Sequence, residues 1–459
     1  MTTEDKTAGV ETILGNPQVA VRKMSTPLII SMLLVSIYNL ADAAWVSGLG
    51  SDALAGVGFI TPLFLILVGL GNGLGAGATA SLSKYIGQER RDKADNGALH
   101  VIFITIIISI IVSIILLAIL NPILQLMGAA GTTSYALSYA NVLFTGTILF
   151  VLPNAMYGIL RAEGDVNRTM VAMTISGIIN IIIDPIFIYV LDMGVAGAAY
   201  ATLLSVGIVI LIIAYWFYIK RDTYIKPFWH RFHYDSAICF DILKVGLPAS
   251  SELLMTAILT AFLSGLLTTV ASTDAVAVYT TGWRVVSLGT MPIIGISTAL
   301  VSIVGANLGA RRFENIRLAH NYSMKLAFVV GLIVAVLLYI FAPQVVVLFS
   351  YSVGSTHLAS SMVDFLRAMT LYYLFMAIGA PSTFLFQGVG KGLTALFQTI
   401  MRTVILSIIC AYLLAIVFNM GEHGVWYGII LGQAIASIIT WIWSTEYVKR
   451  LIRHGSTEG

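Results

Sequence analysis

The apolar positions of this chain fall in long blocks, each closed by a short polar stretch. A helix needs about 20 consecutive apolar residues to cross a bilayer. By that measure the sequence predicts twelve spanning helices, near 25–47, 53–84, 95–121, 134–160, 168–191, 194–219, 241–269, 275–306, 317–342, 358–386, 393–418 and 423–448. The first twenty-odd residues are polar and mixed in charge, so they do not read as a signal peptide; the first apolar run begins near Pro27.

Lys and Arg fall in or beside every second connection. They group at Lys6, Arg22 and Lys23; at Lys84, Arg90, Arg91 and Lys93; at Arg161 and Arg168; and at Lys220, Arg221, Lys226, Arg231 and Lys244. The series continues with Arg311, Arg312 and Arg317, then Lys391, then Lys449, Arg450 and Arg453. The intervening loops 48–52, 122–133, 192–193, 270–274, 343–357 and 419–422 carry none. The positive-inside rule then predicts that both termini are cytoplasmic and that the protein sits in the cell membrane. The alternation also supports the count of spans, because one missed helix would scramble it.

Composition agrees. Of 459 residues, 58% are hydrophobic and 10% charged, with mean hydropathy +0.93; a soluble domain carries about 25% charged residues. The net charge of +3 says little about partners. Cys239 and Cys410 lie far apart, so neither a disulfide scaffold nor a zinc site is indicated.

An internal repeat sets the organisation. "GSDALAGVGFITPL" opens a segment ending "SKYIGQERRDKA", and "STDAVAVYTTGWRV" opens one ending "GANLGARRFENI". Asp52 aligns with Asp274, Gly87 with Gly309 and Arg90 with Arg312 without a gap, and "MGVAGAAY" from Met193 matches "MGEHGVWY" from Met420. The predicted fold is therefore an all-α polytopic membrane protein of two pseudo-symmetric six-helix halves. These are an N-lobe over 1–219 and a C-lobe over 241–459, joined by a cytoplasmic linker over 220–240. Six spans per half start both halves on one side of the membrane, as in the parallel repeats of secondary transporters. A cleft between them is the natural substrate path. The basic, aromatic linker is expected on the membrane surface as an interfacial helix; its basic residues flank spans and do not indicate nucleic acid.

Most motifs reduce to packing. "GNGLGAGATAS" from Gly71 contains a loose dinucleotide fingerprint, but no strand precedes it, and small residues so spaced let helices approach closely. His100 and His320 stand near cytoplasmic helix starts and read as solvated. No nucleophilic triad, Walker sequence or paired-cysteine motif stands out, so neither enzyme activity nor ATP-driven transport is expected, and no cofactor.

Acids at membrane depth carry the chemistry. Such a group costs about 2.5–3.5 kcal/mol at the bilayer centre and marks a pathway or counter-ion. Asp42, Asp184 and Glu252 qualify, with Arg284, Asp364 and Arg367 beside them. Asp184 stands nine residues before the outer turn at 193 and Thr202 nine after it, roughly 13 Å along each helix. Asp42 is a similar distance from the outer loop at 49–51, and Asn180 shares the face of Asp184 one turn deeper. Pro185 supplies no N–H and leaves the carbonyl of Ile181 without its helical donor. Together these oxygens suit Na⁺ or H⁺ rather than a soft metal. The second half has Ser407 and Ala411 within the stretch aligned to Asn180 and Asp184, and Ile429 for Thr202, so the acids are not duplicated with the scaffold. Glu252 is expected near the cytoplasmic mouth, Asp364 and Arg367 to pair on one helix, Arg284 to answer one of the acids, and Glu163 to pair with Arg161 in a loop or to gate.

The segments "STPLIISMLLVSIYNLADAAWVSGLG", "LRAEGD", "NIIIDP", "GVAGAAYAT" and "GLPAS" together resemble the multidrug and toxic compound extrusion (MATE) family over nearly the whole chain. The resemblance implies two lobes around a central V-shaped cavity. It implies drug export in exchange for Na⁺ or H⁺, with small organic cations or amphiphiles as partners and a monomer in the bilayer. Its DinF-type branch implies an N-lobe cation site at Asp42, Asn180, Asp184 and Thr202, with Tyr38 and Asn154 lining the same lobe. Glu252 and Asp364 do not match the C-lobe acid pair of the other branch. Neutralising the acids is expected to let the first helix bend at Pro27 or near Asp42. A flippase for lipid-linked precursors is the alternative within the superfamily; it would call for a cationic cavity.

Overall fold

The computed structural model describes residues 7–128, 131–350 and 358–455. Lys6, parts of the loops 122–133 and 343–357 and the last four residues lie outside that description. The described residues form helices and connections with no strand. In order these are α1 (Ala8–Leu14), α2 (Pro17–Ser47), α3 (Ser51–Gly87), α4 (Arg91–Leu126), α5 (Thr133–Thr145), α6 (Thr147–Ala162), α7 (Val166–Pro185) and α8 (Gly194–Ala214). They continue with α9 (Ser236–Ser250), α10 (Glu252–Val270), α11 (Thr273–Gly309), α12 (Phe313–Ser350), α13 (Ala359–Gly388), α14 (Gly392–Thr399), α15 (Leu406–Tyr412) and α16 (Gly421–Gly455). Wider π-helical turns extend or join them at Ile186–Val190, Tyr215–Lys220, Ile400–Ile405 and Leu413–Val417.

Among the described residues eleven segments are long and apolar enough to span a membrane, and a twelfth is α5–α6, bent by 50°. The twelve predicted spans are therefore all present. Their outer faces suit lipid: on α4, Phe103, Ile107, Ile110 and Ile114 form an exposed stripe at helical spacing. The bend falls at Gly146, where a Cβ would come within 2.2 Å of the Leu203 side chain. The seventh span breaks at Ser251, and the eleventh passes through two π turns.

The N-terminus departs from expectation. It forms α1, whose Val10 and Ile13 are fully buried, and α2 begins at Pro17 rather than near 25. A Cβ on Gly9 would lie 2.4 Å from the carbonyl oxygen of Glu163, and Asn307 donates its amide to the Ile13 carbonyl at 3.1 Å. Two well-spaced apolar residues in a polar segment suffice to dock a seven-residue helix.

By packing, the chain forms two compact units. The first comprises Met1–Gly15 (described from residue 7), Ile30–Ser251 and Gly305–Ala310. The second comprises the described parts of Asn16–Ile29, Glu252–Val304 and Arg311–Gly459. The linker and α9 thus pack within the first unit, not as a separate joint. Close approach is the reason for α9: a Cβ on Gly77 would meet the Ile242 carbonyl oxygen at 2.4 Å, and one on Gly73 the Gly246 carbonyl oxygen at 2.4 Å.

Nor is the linker an interfacial helix. Beyond one turn at Trp229–Arg231 it is irregular, and Tyr224 and Ile225 are fully buried. Its amides are held by buried acceptors: Lys226 N–H by Asp95 Oδ1 (2.7 Å) and Asp235 N–H by His100 Nε2 (3.0 Å). His100 is therefore a buried structural group, its Nδ1–H facing the Asn96 carbonyl at 2.8 Å. His320 is buried too, against the hydroxyls of Ser382 and Ser444. Both corrections have one cause: a position near a helix start looks solvated until other elements cover it.

The glycine run of α3 is a packing surface, as its spacing predicted. Gly75 meets Gly158 of α6, where a Cβ would sit 2.3 Å from the Gly75 carbonyl oxygen, and Thr79 donates to the Gly158 carbonyl at 3.1 Å. Gly158→Val should therefore cost about 1–3 kcal/mol through overpacking and lower the melting temperature of the purified protein. Gly58→Ala, with nothing within 4 Å of the new Cβ, is the neutral control. Equal melting of the two variants would contradict this account of the crossing.

Candidate functional site

Three oxygen acceptors meet in the first unit. Asp184 on α7 is fully buried and Asn180, one turn earlier, is 2% exposed. Asn180 donates Nδ2–H to Asp184 Oδ1 at 3.2 Å. The half-buried carboxyl of Asp42 on α2 faces that of Asp184 at hydrogen-bonding reach. Asp42 Oδ1, Asn180 Oδ1 and Asp184 Oδ2 are buried and meet no donor. Two carboxylates and an amide oxygen left in that state repel one another; a proton or a small hard cation satisfies them.

The helices are brought together by specific contacts. Gly177, one turn below Asn180, leaves room for the Tyr38 ring, whose Cδ1 would be 3.2 Å from a Cβ there. Tyr189 donates its hydroxyl to the Trp45 carbonyl at 2.5 Å, fixing the outer end of α2 to the turn after α7, and Gly48 leaves space for that hydroxyl. Tyr139 of α5 is buried within electrostatic reach of both acids. Sequence reasoning missed it, because nothing in the sequence separates Tyr139 from Tyr135 and Tyr157 of the same span.

Not every predicted residue joins this group. Thr202 is half-buried on α8, which packs against α7, but its hydroxyl forms no hydrogen bond among the described residues. Asn154 packs on Gly71 and donates to the Phe150 carbonyl at 3.0 Å, with no contact to the acids. Pro185 ends α7 and a π turn, Ile186–Val190, follows it. The proline does not cause that turn. The second half forms the same turn at Leu413–Val417, where Tyr412 holds the place of Pro185. Pro27 lies inside α2, two residues before the helix passes from the second unit to the first.

Glu163 makes no ion pair with Arg161 among the described residues. It is 1% exposed, and its Oε2 accepts the Ile225 N–H at 2.9 Å, tying the linker to the end of α6. Burial pushes its carboxyl up from an ordinary 4.5 to about 8. Asp165, held by Arg168 at 3.3 Å, is also raised by burial.

The remaining ionisable groups lie in the second unit. Glu252 opens α10 and accepts from Gln387 Nε2 at 2.7 Å. Asp364 and Arg367 do not pair: Asp364 is exposed, and the Arg367 guanidinium lies 5.2 Å from the centre of the Tyr339 ring. Arg284 is exposed and joins no ion pair among the described residues. Three-residue spacing permits a pair, but an aromatic face competed for the arginine. Among the described residues no group of three or more His, Cys, Asp or Glu side chains could hold a metal ion.

Comparison with known proteins places the chain among membrane transporters. The MatE family model matches residues 27–186 and 248–413. The chain is 24% identical to the multidrug export protein MepA of Staphylococcus saprophyticus, covering 90% of each. It is 24% identical to the probable multidrug resistance protein NorM of Thermotoga maritima, covering 94% of this chain and 93% of the relative. With the FAD transporter of Shewanella oneidensis it shares 27% identity over 71% of this chain and 73% of that protein. Among solved structures it is similar to an outward-facing multidrug resistance MATE family transporter of the MOP superfamily. That match has TM-score 0.95 and 38% identity over 98% of this chain and 99% of the other. A MOP superfamily transporter from Pyrococcus furiosus matches with TM-score 0.94 and 38% identity, over 97% and 99%.

The buried position of Glu163 has a pH consequence. An acid whose value is raised by folding holds its proton more tightly folded than unfolded, so it destabilises the fold as pH rises from about 4.5 to 8. Trypsin cleavage at Arg221 and Arg231 should accelerate as pH is raised through about 8, after correction for trypsin's own profile. Glu163→Gln should flatten that rise; a variant with the wild-type profile would show that Glu163 does not hold the linker.

Proposed function

The chain belongs to the MatE family, and on that premise we propose that it is a multidrug efflux transporter of the cell membrane. It exports small organic cations or amphiphiles in exchange for Na⁺ or H⁺, with both termini cytoplasmic. The observation that carries the coupling is the set of buried oxygens on Asp42, Asn180 and Asp184 that meet no donor. Relatives named for multidrug export support the direction and class of transport.

In this reading the coupling ion is itself a transported substrate. It neutralises the facing carboxyls of Asp42 and Asp184, removing their mutual repulsion and allowing α2 to shift relative to α7. Tyr139 and Tyr38 wall the pair off from water, and Thr202 is recruited only when the ion binds. Pro27 weakens α2 where its partners change, and Glu163 holds the cytoplasmic side. Ion binding and drug binding then exclude each other, which is what exchange requires.

Loss of one carboxyl should uncouple transport without unfolding the protein, since Asn keeps the size and a hydrogen bond to Asn180. In proteoliposomes loaded with a cationic dye, wild type should drive efflux under an imposed pH or Na⁺ gradient. Asp184→Asn should fall to the level of empty vesicles while melting no lower than wild type. Undiminished gradient-driven efflux by Asp184→Asn would overturn the coupling role.

A further inference from the structure

Arg402 is a buried guanidinium at mid-span with no counter-charge in contact. It is 8% exposed, its Nε meets no acceptor, and its side chain forms no hydrogen bond or ion pair among the described residues. Glu252 lies within its electrostatic reach but does not close on it; Oε1 of Glu252 is taken by Gln387. A structural ion pair in lipid would close, because an unpaired buried charge is costly.

More orphaned polar groups stand beside it. Gln398 is fully buried, and neither its amide nitrogen nor its oxygen has a partner; the Thr399 hydroxyl, 4% exposed, has none either. They precede Arg402 by four and three residues and so share its side of the helix. The backbone that carries Arg402 is the π segment Ile400–Ile405, a feature common at functional sites. In the first half the aligned stretch, 173–178, is ordinary α-helix inside Val166–Pro185. Gly379 packs beside the arginine stem: a Cβ there would lie 3.4 Å from Arg402 Cδ, an ordinary contact, and 2.5 Å from Ser437 Oγ. Tyr372 is within electrostatic reach of Arg402, and its ring packs edge-on against Trp283 at 5.5 Å.

We propose that this cluster binds the carboxylate of an aromatic organic acid. The guanidinium fork, the Gln398 amide N–H and the Thr399 hydroxyl form a donor set, which a planar two-oxygen acceptor fits. Arg402 repels a cation. Glu252 sets the upper limit on charge: a monoanion is tolerated beside it, a phosphate dianion is not. The Tyr372–Trp283 pair supplies the wall for an aromatic body.

The site is separate from the acid group of the first unit, so its test is separate too. The full chain in lipid nanodiscs is titrated with 2-naphthoate and with its neutral counterpart 2-naphthamide. Wild type should bind the acid at least about tenfold more tightly than the amide, as expected for a charge-assisted contact. Arg402→Lys keeps the charge without the fork and should weaken naphthoate binding. Gln398→Leu removes a partnerless buried amide; it should melt no lower than wild type yet bind naphthoate more weakly. Equal binding of acid and amide overturns the proposal, as does wild-type naphthoate affinity in both Arg402→Lys and Gln398→Leu.

Discussion

Lipid removes the force that normally drives helices together, since hydrocarbon outside the bundle is as apolar as hydrocarbon within it. What holds these spans is how closely their backbones approach. On α16, Gly424, Gly428 and Gly432 recur every fourth residue. A Cβ on each would lie within 2.6 Å of the backbone at Ala415, Ala411 and Ser407 in turn. The first half makes the equivalent contact at Gly197, where a Cβ would be 2.6 Å from the Phe187 carbonyl oxygen. Part of each polar set is mounted on these hairpins. Asp184 precedes the π turn of the first, and Arg402 precedes the second.

The two halves reuse the scaffold and differ in what they bury. At the register of Asp42, Asn180 and Asp184 the second half has Ser264, Ser407 and Ala411. At the register of Arg402 and Glu252 the first half has Ile175 and Ile30. Each ionisable group at membrane depth is costly, and neither set is needed to form the hairpin, because the other half forms it without them. The first set consists of acceptors lacking donors; the second holds a guanidinium and an amide nitrogen lacking acceptors, beside a Gln398 oxygen lacking a donor.

The fold was largely legible because its signals are local. Block length gave the spans, and the alternation of Lys and Arg constrained their number. The level of Asp42 with Asp184 followed from counting residues to the nearest turn. What failed depended on contacts between distant segments. His100 and His320 looked solvated until Asp235, Ser382 and Ser444 covered them. Glu163 looked like a partner for its neighbour Arg161, yet its partner is the Ile225 amide, sixty-two residues on. Tyr139 gave no signal apart from Tyr135 and Tyr157 of its span, whereas Arg402, a charge inside 393–418, met the membrane-depth criterion and was passed over. Pro185 misled in another way. It invited a local explanation for a π turn that Tyr412 accompanies equally well.

The passage of chain between the units follows the same repeat. The first span changes unit between Ile29 and Ile30, and the seventh between Ser251 and Glu252. These positions coincide in the register that aligns Asp52 with Asp274. In each span a proline precedes the change by two or three residues, Pro27 in one and Pro248 in the other. Proline deprives the preceding turn of a hydrogen bond and crowds its carbonyl. A helix whose ends pack in different bodies must flex where the partners change, or transmit every displacement of one to the other. In α2 that proline stands fifteen residues before Asp42. In the seventh span the first residue past the change is Glu252, the acid nearest Arg402, so both polar sets are reached through the same kind of joint.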